Sequence, residues 1–260
     1  MGPIRQFFAD LGASLGVIVR QPALPILSAI LLAGSILVLD LAESGLGCLE
    51  EAGGTCHAWS LALYFVVGLP LAIYSIGWYG TERIWFLRAF RGHAFPAAEA
   101  LRLTPRFIGP FFRLGLLALL VLAPIFLWAT AIDDPAWILI PTFVVSDFLL
   151  TFVTPALAYS TRRAWGALRI GVRLISERWP ASSLYILLPP LAAQASAALL
   201  EPVETPIGMA ATMTLAVWLS LWMKGGVARF YLRHREPADP AWGAALLTKE
   251  PPVPRRVGES

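Results

Sequence analysis

Long apolar runs recur along the chain, and each is longer than the apolar stripe of a helix that faces water. A helix rises about 1.5 Å per residue and a bilayer core is about 30 Å thick, so about twenty apolar residues cross it. Six runs reach this length, and they cover residues 22–41, 59–80, 111–132, 136–160, 183–200 and 207–228. They lack the alternation of barrel strands, so the pattern predicts an all-α fold with six transmembrane helices.

The basic residues predict the orientation of these helices. All 20 lysines and arginines lie before the first run, in or beside the second-to-third and fourth-to-fifth connections, or from the end of the sixth run onward. Lysine and arginine resist translocation, so we expect these segments and both termini to be cytoplasmic. The other connections carry acidic residues, namely Glu43, Glu50, Glu51, Asp133, Asp134, Glu201 and Glu204.

Three regions follow from this pattern. Residues 1–21 are predicted to form an amphipathic helix at the membrane surface, and residues 22–230 the six-helix transmembrane domain. Residues 231–260 are predicted to be a disordered, proline-rich cytoplasmic tail. Residues 83–107 and the fourth-to-fifth connection are also predicted to lie at the lipid headgroups, the first of them with a helix interruption at Gly92 and Pro96. The apolar face predicted for the N-terminal helix comprises Ile4, Phe7, Phe8, Leu11, Leu15 and Ile18, opposite Arg5, Gln6 and Asp10. The face predicted for the fourth-to-fifth helix comprises Trp165, Leu168, Val172 and Ile175.

The composition agrees with a lipid environment. The chain is 57% hydrophobic and 14% charged, whereas a soluble domain needs about 25% charged residues. The net charge of +3 does not indicate nucleic-acid binding, because the basic residues flank apolar runs rather than forming a separate basic domain. The composition therefore predicts an integral membrane protein with several spans.

Asp147 is the sharpest candidate for chemistry, because it lies near the middle of the fourth run. Burying a carboxylate there costs about 2.5 to 3.5 kcal/mol, so its side chain should face the bundle. Thr151 and Thr154 follow at helical spacing. This polar stripe is interpreted either as an interhelical hydrogen-bonding site or as a relay for protons or substrate. The first interpretation, in which the stripe serves helix packing, is preferred.

Two further features lie in other runs and loops. Pro189 and Pro190 remove two amide donors within the fifth run and predict a helix break. We favour a structural role for this break over a role in a transport site. Cys48 and Cys56 share the first outer connection and are a candidate disulfide or a pair of free thiols. A metal site is less favoured, because His57 adds only one more ligand.

Four arginines after the fourth run are candidate contacts for lipid headgroups, namely Arg162, Arg163, Arg169 and Arg173. Basic segments beside a membrane attract anionic lipids. No catalytic motif, phosphate-binding loop or metal-binding motif is present in the sequence, so we expect no cofactor and favour a non-enzymatic protein.

Several short motifs resemble a bacterial six-span membrane domain. They are residues 147–156 with the sequence DFLLTFVTPA, 163–169 with RAWGALR, 87–92 with LRAFRG, and 98–101 with AEAL. This domain occurs attached to some glycerophosphodiester phosphodiesterases and in stand-alone membrane proteins. The resemblance covers roughly residues 20 to 230 and implies fold and topology. It carries over no catalytic residue, since the sequence lacks the phosphodiesterase domain.

The favoured function is therefore a membrane-anchored accessory or envelope-homeostasis component of the bacterial plasma membrane, the location that the resemblance implies. Its basic cytoplasmic face would bind anionic lipid, a membrane protein partner or a second copy of the chain. The alternative is a small transporter or permease subunit that uses Asp147 and the Pro189–Pro190 break.

Overall fold

The computed structural model describes residues 2–35, 62–93, 95–129, 131–132, 136–187 and 206–235. Some side chains within residues 136–149 and 206–213, including that of Asp147, lie outside this description. The described residues form helices and contain no strand, so the all-α prediction is confirmed.

Nine helices fall within these residues. They are α1 Pro3–Arg20, α2 Ala23–Ser35, α3 Leu69–Phe90, α4 Ala97–Leu103, α5 Pro105–Ala129, α6 Ala136–Tyr159, α7 Ala164–Glu177, α8 at 181–187, and α9 Pro206–His234. A π-helical turn over Tyr64–Gly68 leads directly into α3.

Helices α3, α6 and α9 end at the same end of the bundle. Lys224 of α9 contacts Glu82 of α3, and farther along both helices the Arg229 guanidinium lies 5.7 Å from the Phe90 ring centroid. The two helices therefore run in the same direction. Ser160, directly after α6, hydrogen-bonds Tyr231 near the end of α9 at 2.7 Å. We call this end, where α1 and α7 also lie, the basic end.

Helix α2 runs in the opposite direction to α3. Ser28 hydrogen-bonds Glu82 at 2.7 Å, whereas Ser35 is 3.2 Å from Ser75, which lies earlier in α3.

Helix α5 packs closely on α3 at two glycines. An added Cβ at Gly80 would lie 2.5 Å from the Phe107 ring. An added Cβ at Gly77 would lie 2.5 Å from the Thr104 carbonyl oxygen, just before α5, and 2.8 Å from Ile108 Cγ1.

Helix α1 lies across the basic end, at 85° to α2. Of the apolar face predicted at the membrane surface, Phe7, Leu11 and Ile18 are buried against the bundle, whereas Ile4 and Phe8 are each 64% exposed. Helix α1 therefore has one apolar strip packed on the bundle and a second one on the surface.

One described helix, α5, is by itself long and apolar enough to cross a membrane. Only 11% of its apolar window is buried, and Leu120 and Leu127 are 74% and 72% exposed. Helices α1 and α2 are bent by 85° relative to each other, and they are long and apolar enough to cross a membrane only if they are taken together as one span. The other five predicted spans include residues that the structure does not fully describe.

The first part of residues 83–107 does not form the separate surface helix that the sequence predicted. Helix α3 continues without a break to Phe90, and Trp85, Phe86 and Leu87 are at most 1% exposed. These side chains are part of the bundle core because α1, α5 and α9 pack around this end of α3. The predicted interruption lies after α3, where Gly92 adopts a φ of +77° that glycine tolerates best.

The face predicted for the fourth-to-fifth helix is also partly wrong. Trp165 and Val172 are 65% and 43% exposed, whereas Leu174 and Ile175 are buried against the bundle. The reason is Gly171, at which an added Cβ would lie 2.9 Å from Val153 Cγ2. Without a side chain at this position, α7 approaches the backbone of α6, and this contact sets which face is buried.

Candidate functional site

An ion pair between Glu82 of α3 and Lys224 of α9 lies inside the bundle. Lys224 Nζ is 2.6 Å from Glu82 Oε2, and the two side chains are 15% and 5% exposed. Glu82 Oε1 accepts a hydrogen bond from Ser28 Oγ at 2.7 Å, and Ser28 Oγ accepts one from Trp78 Nε1 at 2.9 Å. Each carboxylate oxygen therefore has a donor, which offsets the cost of burying the charge.

Arg83 joins three helices next to this pair. Its Nη1 donates to the Lys224 carbonyl oxygen at 2.9 Å and its Nη2 donates to Thr154 Oγ1 of α6 at 3.0 Å. The Arg83 carbonyl oxygen accepts a hydrogen bond from Tyr159 at 2.6 Å. Arg83 Nε is buried and has no partner among the described residues. Thr154, predicted from the sequence as part of an intramembrane polar stripe, is thus a partner of Arg83.

Asp10 forms a second buried cluster at the basic end. Its side chain is fully buried, although the sequence placed it on the polar face of α1. Asp10 Oδ2 accepts a hydrogen bond from the Tyr185 hydroxyl at 2.6 Å. Asp10 Oδ1 is hydrogen-bonded by Arg233 and lies 3.4 Å from Arg229 Nε. The Asp10 carboxylate thus joins α1 to α8 through Tyr185 and to α9 through two arginines. The side chains of Arg229 and Arg233 are 40% and 38% exposed.

A cavity of about 300 Å³ lies between α2, α3 and α9, and we call it the cleft. Its polar lining consists of Ser28, Ser35, Ser75, Glu82, Ser220 and Lys224. The remaining walls are leucine, valine, alanine, tryptophan and tyrosine side chains. Ser35 lies seven residues beyond Ser28, which is about 10 Å along α2. The cleft therefore has the ion pair at one end and a pair of serines farther from the basic end.

The four arginines predicted to contact headgroups are all exposed at the basic end. One of them is Arg173, whose Nε lies 2.6 Å from Glu177 Oε1. Arg235 Nη2, from the end of α9, lies 2.6 Å from Glu177 Oε2. The hydrogen bond from Arg173 lowers the pKa of Glu177. Glu177 therefore stays ionised between two arginines, and it joins α7 to the end of α9.

The other predicted site residues are described incompletely or not at all. Thr151 is half-buried on α6. The Asp147 side chain, Pro189–Pro190, Cys48 and Cys56 lie outside the described residues. Their predicted roles stay predictions.

Sequence reasoning missed Glu82 and Lys224 as a pair. Glu82 lies just past the second apolar run and was assigned no role, and Lys224 was counted with the basic residues at the end of the sixth run. A signal was present, because Glu82 is an acidic residue in a connection dominated by arginine, and a lysine within an apolar run needs a partner.

Comparison with known proteins adds no assignment. Among the described residues, no three histidine, cysteine, aspartate or glutamate side chains converge as metal ligands would. No protein-family model, no curated protein and no solved structure matches the chain.

Proposed function

We propose that the protein is a six-span integral membrane protein of a bacterial plasma membrane, with its basic end on the cytoplasmic side and bound to anionic lipid. In this role it is a non-enzymatic accessory or envelope-homeostasis component. We also propose kinship with the six-span domain that its motifs resemble.

The observation that carries the membrane assignment is the exposure of α5. A helix this apolar in a soluble protein would be a core helix and mostly buried, whereas only 11% of its apolar window is buried. At about 25 cal/mol per Å², such a surface is costly in water and costs nothing against lipid. Exposed apolar side chains on α2 and before α3 support the same environment, and they include Ile26, Ile30, Phe65 and Val66.

Two amphipathic helices support a lipid-binding role for the basic end. On α1, the exposed side chains of Ile4 and Phe8 neighbour that of Arg5, which is also exposed. On α7, the exposed Trp165 lies one helical turn from the exposed Arg169. Exposed apolar and basic side chains on one helix surface are typical of helices in the membrane interface, where the ring enters the lipid and arginine meets phosphate.

The test replaces Arg162, Arg163 and Arg169 with glutamine and measures the phosphatidylglycerol that copurifies in mild detergent. We keep Arg173 in this variant because it pairs with Glu177. Each basic residue near an anionic surface contributes about 1 kcal/mol, so retention should fall clearly. The matched control carries lysine at the same three positions and should retain wild-type levels. Equal retention by the glutamine and lysine variants would refute lipid binding by this face.

The transporter alternative rests on Asp147 and the Pro189–Pro190 break. Asp147→Asn distinguishes the two functions. Normal protein levels with an unchanged phenotype support the accessory protein, and selective loss of uptake or export of a solute at normal protein levels supports the transporter.

A further inference from the structure

The cleft differs from the basic end in the charge that it presents. Glu82 and Lys224 are neutral together, and they lie at one end of a cavity whose other walls are largely apolar. The volume of about 300 Å³ is at the lower end of the range for small-molecule sites, which is about 300–1,000 Å³. The cleft is therefore large enough for part of one ligand.

Both members of the ion pair have hydrogen-bonding capacity left. A primary ammonium has three donors, and Lys224 Nζ uses one on Glu82 while lying 4.1 Å from the Tyr79 ring centroid. Each carboxylate oxygen of Glu82 accepts one hydrogen bond and has a second lone pair. The pair can thus bind an anionic group at Lys224 and a cationic group at Glu82. A ligand that carries both charges close together fits it better than a net anion does.

The rim of the cleft indicates the route of entry. Leu32 and Tyr79, which line the cleft, are 38% and 48% exposed, and Ser220 is exposed on α9. Among the described residues, the cleft thus opens on the side of the bundle between α2 and α9. In the proposed membrane location this side faces lipid, which favours a ligand with a hydrocarbon chain over a water-soluble zwitterion.

The depth of the ion pair suits the polar part of a lipid. Ser28, which hydrogen-bonds Glu82, lies five residues after Ala23, where α2 leaves the basic end. This is about 8 Å along the helix. The ion pair therefore lies near the boundary between headgroups and chains, and the apolar walls at Leu31 and Val217 lie beyond it.

We propose that the cleft binds one zwitterionic phospholipid of the cytoplasmic leaflet, with its ammonium group at Glu82, its phosphate at Lys224 and part of one acyl chain between α2 and α9. This inference rests on the proposed membrane location, and it is separate from the binding of anionic lipid by the arginines of α7.

The test reconstitutes the full chain in bilayers of equal phosphatidylethanolamine and phosphatidylglycerol, then counts retained lipids by native mass spectrometry. Wild type should retain one phosphatidylethanolamine after mild activation. Ser220→Phe fills the rim without altering the ion pair and should lower that retention at least about tenfold. The matched control, Leu215→Phe, changes an exposed residue of the same helix outside the cleft and should retain wild-type levels.

A second variant tests the charge. Glu82→Gln removes the negative partner and leaves Lys224, so the preference should shift from phosphatidylethanolamine to phosphatidylglycerol. Unchanged retention of phosphatidylethanolamine in Ser220→Phe would overturn the proposal, and so would phosphatidylglycerol as the lipid that Ser220→Phe displaces. Full displacement of phosphatidylethanolamine by glycerophosphoethanolamine would also overturn it, since the ligand would then be a soluble zwitterion.

The same samples separate this inference from the proposed function. Sensitivity of phosphatidylglycerol retention to the glutamine substitutions at Arg162, Arg163 and Arg169 reports on the basic end alone. Recovery in the membrane fraction after alkaline carbonate extraction reports on membrane insertion.

Discussion

Removal of Glu82 or Lys224 should be more damaging than removal of both. Each side chain is no more than 15% exposed, so either one left alone is a buried charge without a partner. Such single substitutions cost about 3–5 kcal/mol, and the partial exposure of Lys224 favours the lower value. Replacing both residues with methionine removes both charges at similar volume. The double variant should therefore cost about 1 kcal/mol, mainly because Ser28 loses its acceptor.

The assay is equilibrium unfolding by dodecyl sulfate in mixed lipid and detergent micelles, followed by tryptophan fluorescence and circular dichroism. Wild type, Glu82→Met, Lys224→Met and the double variant form a cycle. The expected coupling is about 5 kcal/mol or more, because two single costs of about 3 kcal/mol each are replaced by about 1 kcal/mol in the double variant. The internal control is the exposed Arg173–Glu177 pair, for which the coupling should be much smaller because solvent screens the two charges. If the two single costs simply add in the double variant, the buried ion pair does not stabilise the bundle as described.

Two other predictions concern the packing of α1. Gly225→Ala should destabilise the protein by about 1–3 kcal/mol, because the new Cβ collides with Ser14 Oγ and comes within 2.5 Å of Phe86 Cε1. Gly12→Ala has open space around the new Cβ, so it should be neutral or stabilising by up to about 1 kcal/mol. Thermal unfolding in detergent measures both, and equal effects would contradict the close contact of α1 with α9. Asp10→Ala should lower the free energy of unfolding more than Asp10→Asn does, because an amide oxygen can still accept the hydrogen bond of the buried Tyr185 hydroxyl. Limited proteolysis near the N-terminus should show release of α1 in the alanine variant. Equal protection of the two variants would count against this role of Asp10.

The sequence predicted the features that depend on local pattern. The length of the apolar runs predicted helices at α5 and α6, and the helical spacing of Phe7, Leu11 and Ile18 predicted that α1 is a helix with these side chains on one face. Gly92 and Pro96 predicted the break after α3, because both residues act on their own backbone.

The sequence did not predict the features that depend on partners from other helices. Asp10 was expected at the surface because it lies among polar neighbours, but Tyr185 and two arginines of α9 bury it. Glu82 and Lys224 are separated by 142 positions, so no local pattern links them. The face of α7 that is buried depends on a close approach at Gly171, which hydrophobic periodicity does not record.

The most direct test of the membrane assignment is labelling of intact spheroplasts with a maleimide that does not cross membranes. Cys48 and Cys56 belong to the predicted outer connection, so the wild-type chain, kept reduced, should be labelled in intact spheroplasts. In a variant with serine at both positions and Ser176→Cys at the basic end, labelling should require permeabilisation. Labelling of Ser176→Cys in intact spheroplasts, or protection of the native cysteines until lysis, would contradict the proposed topology.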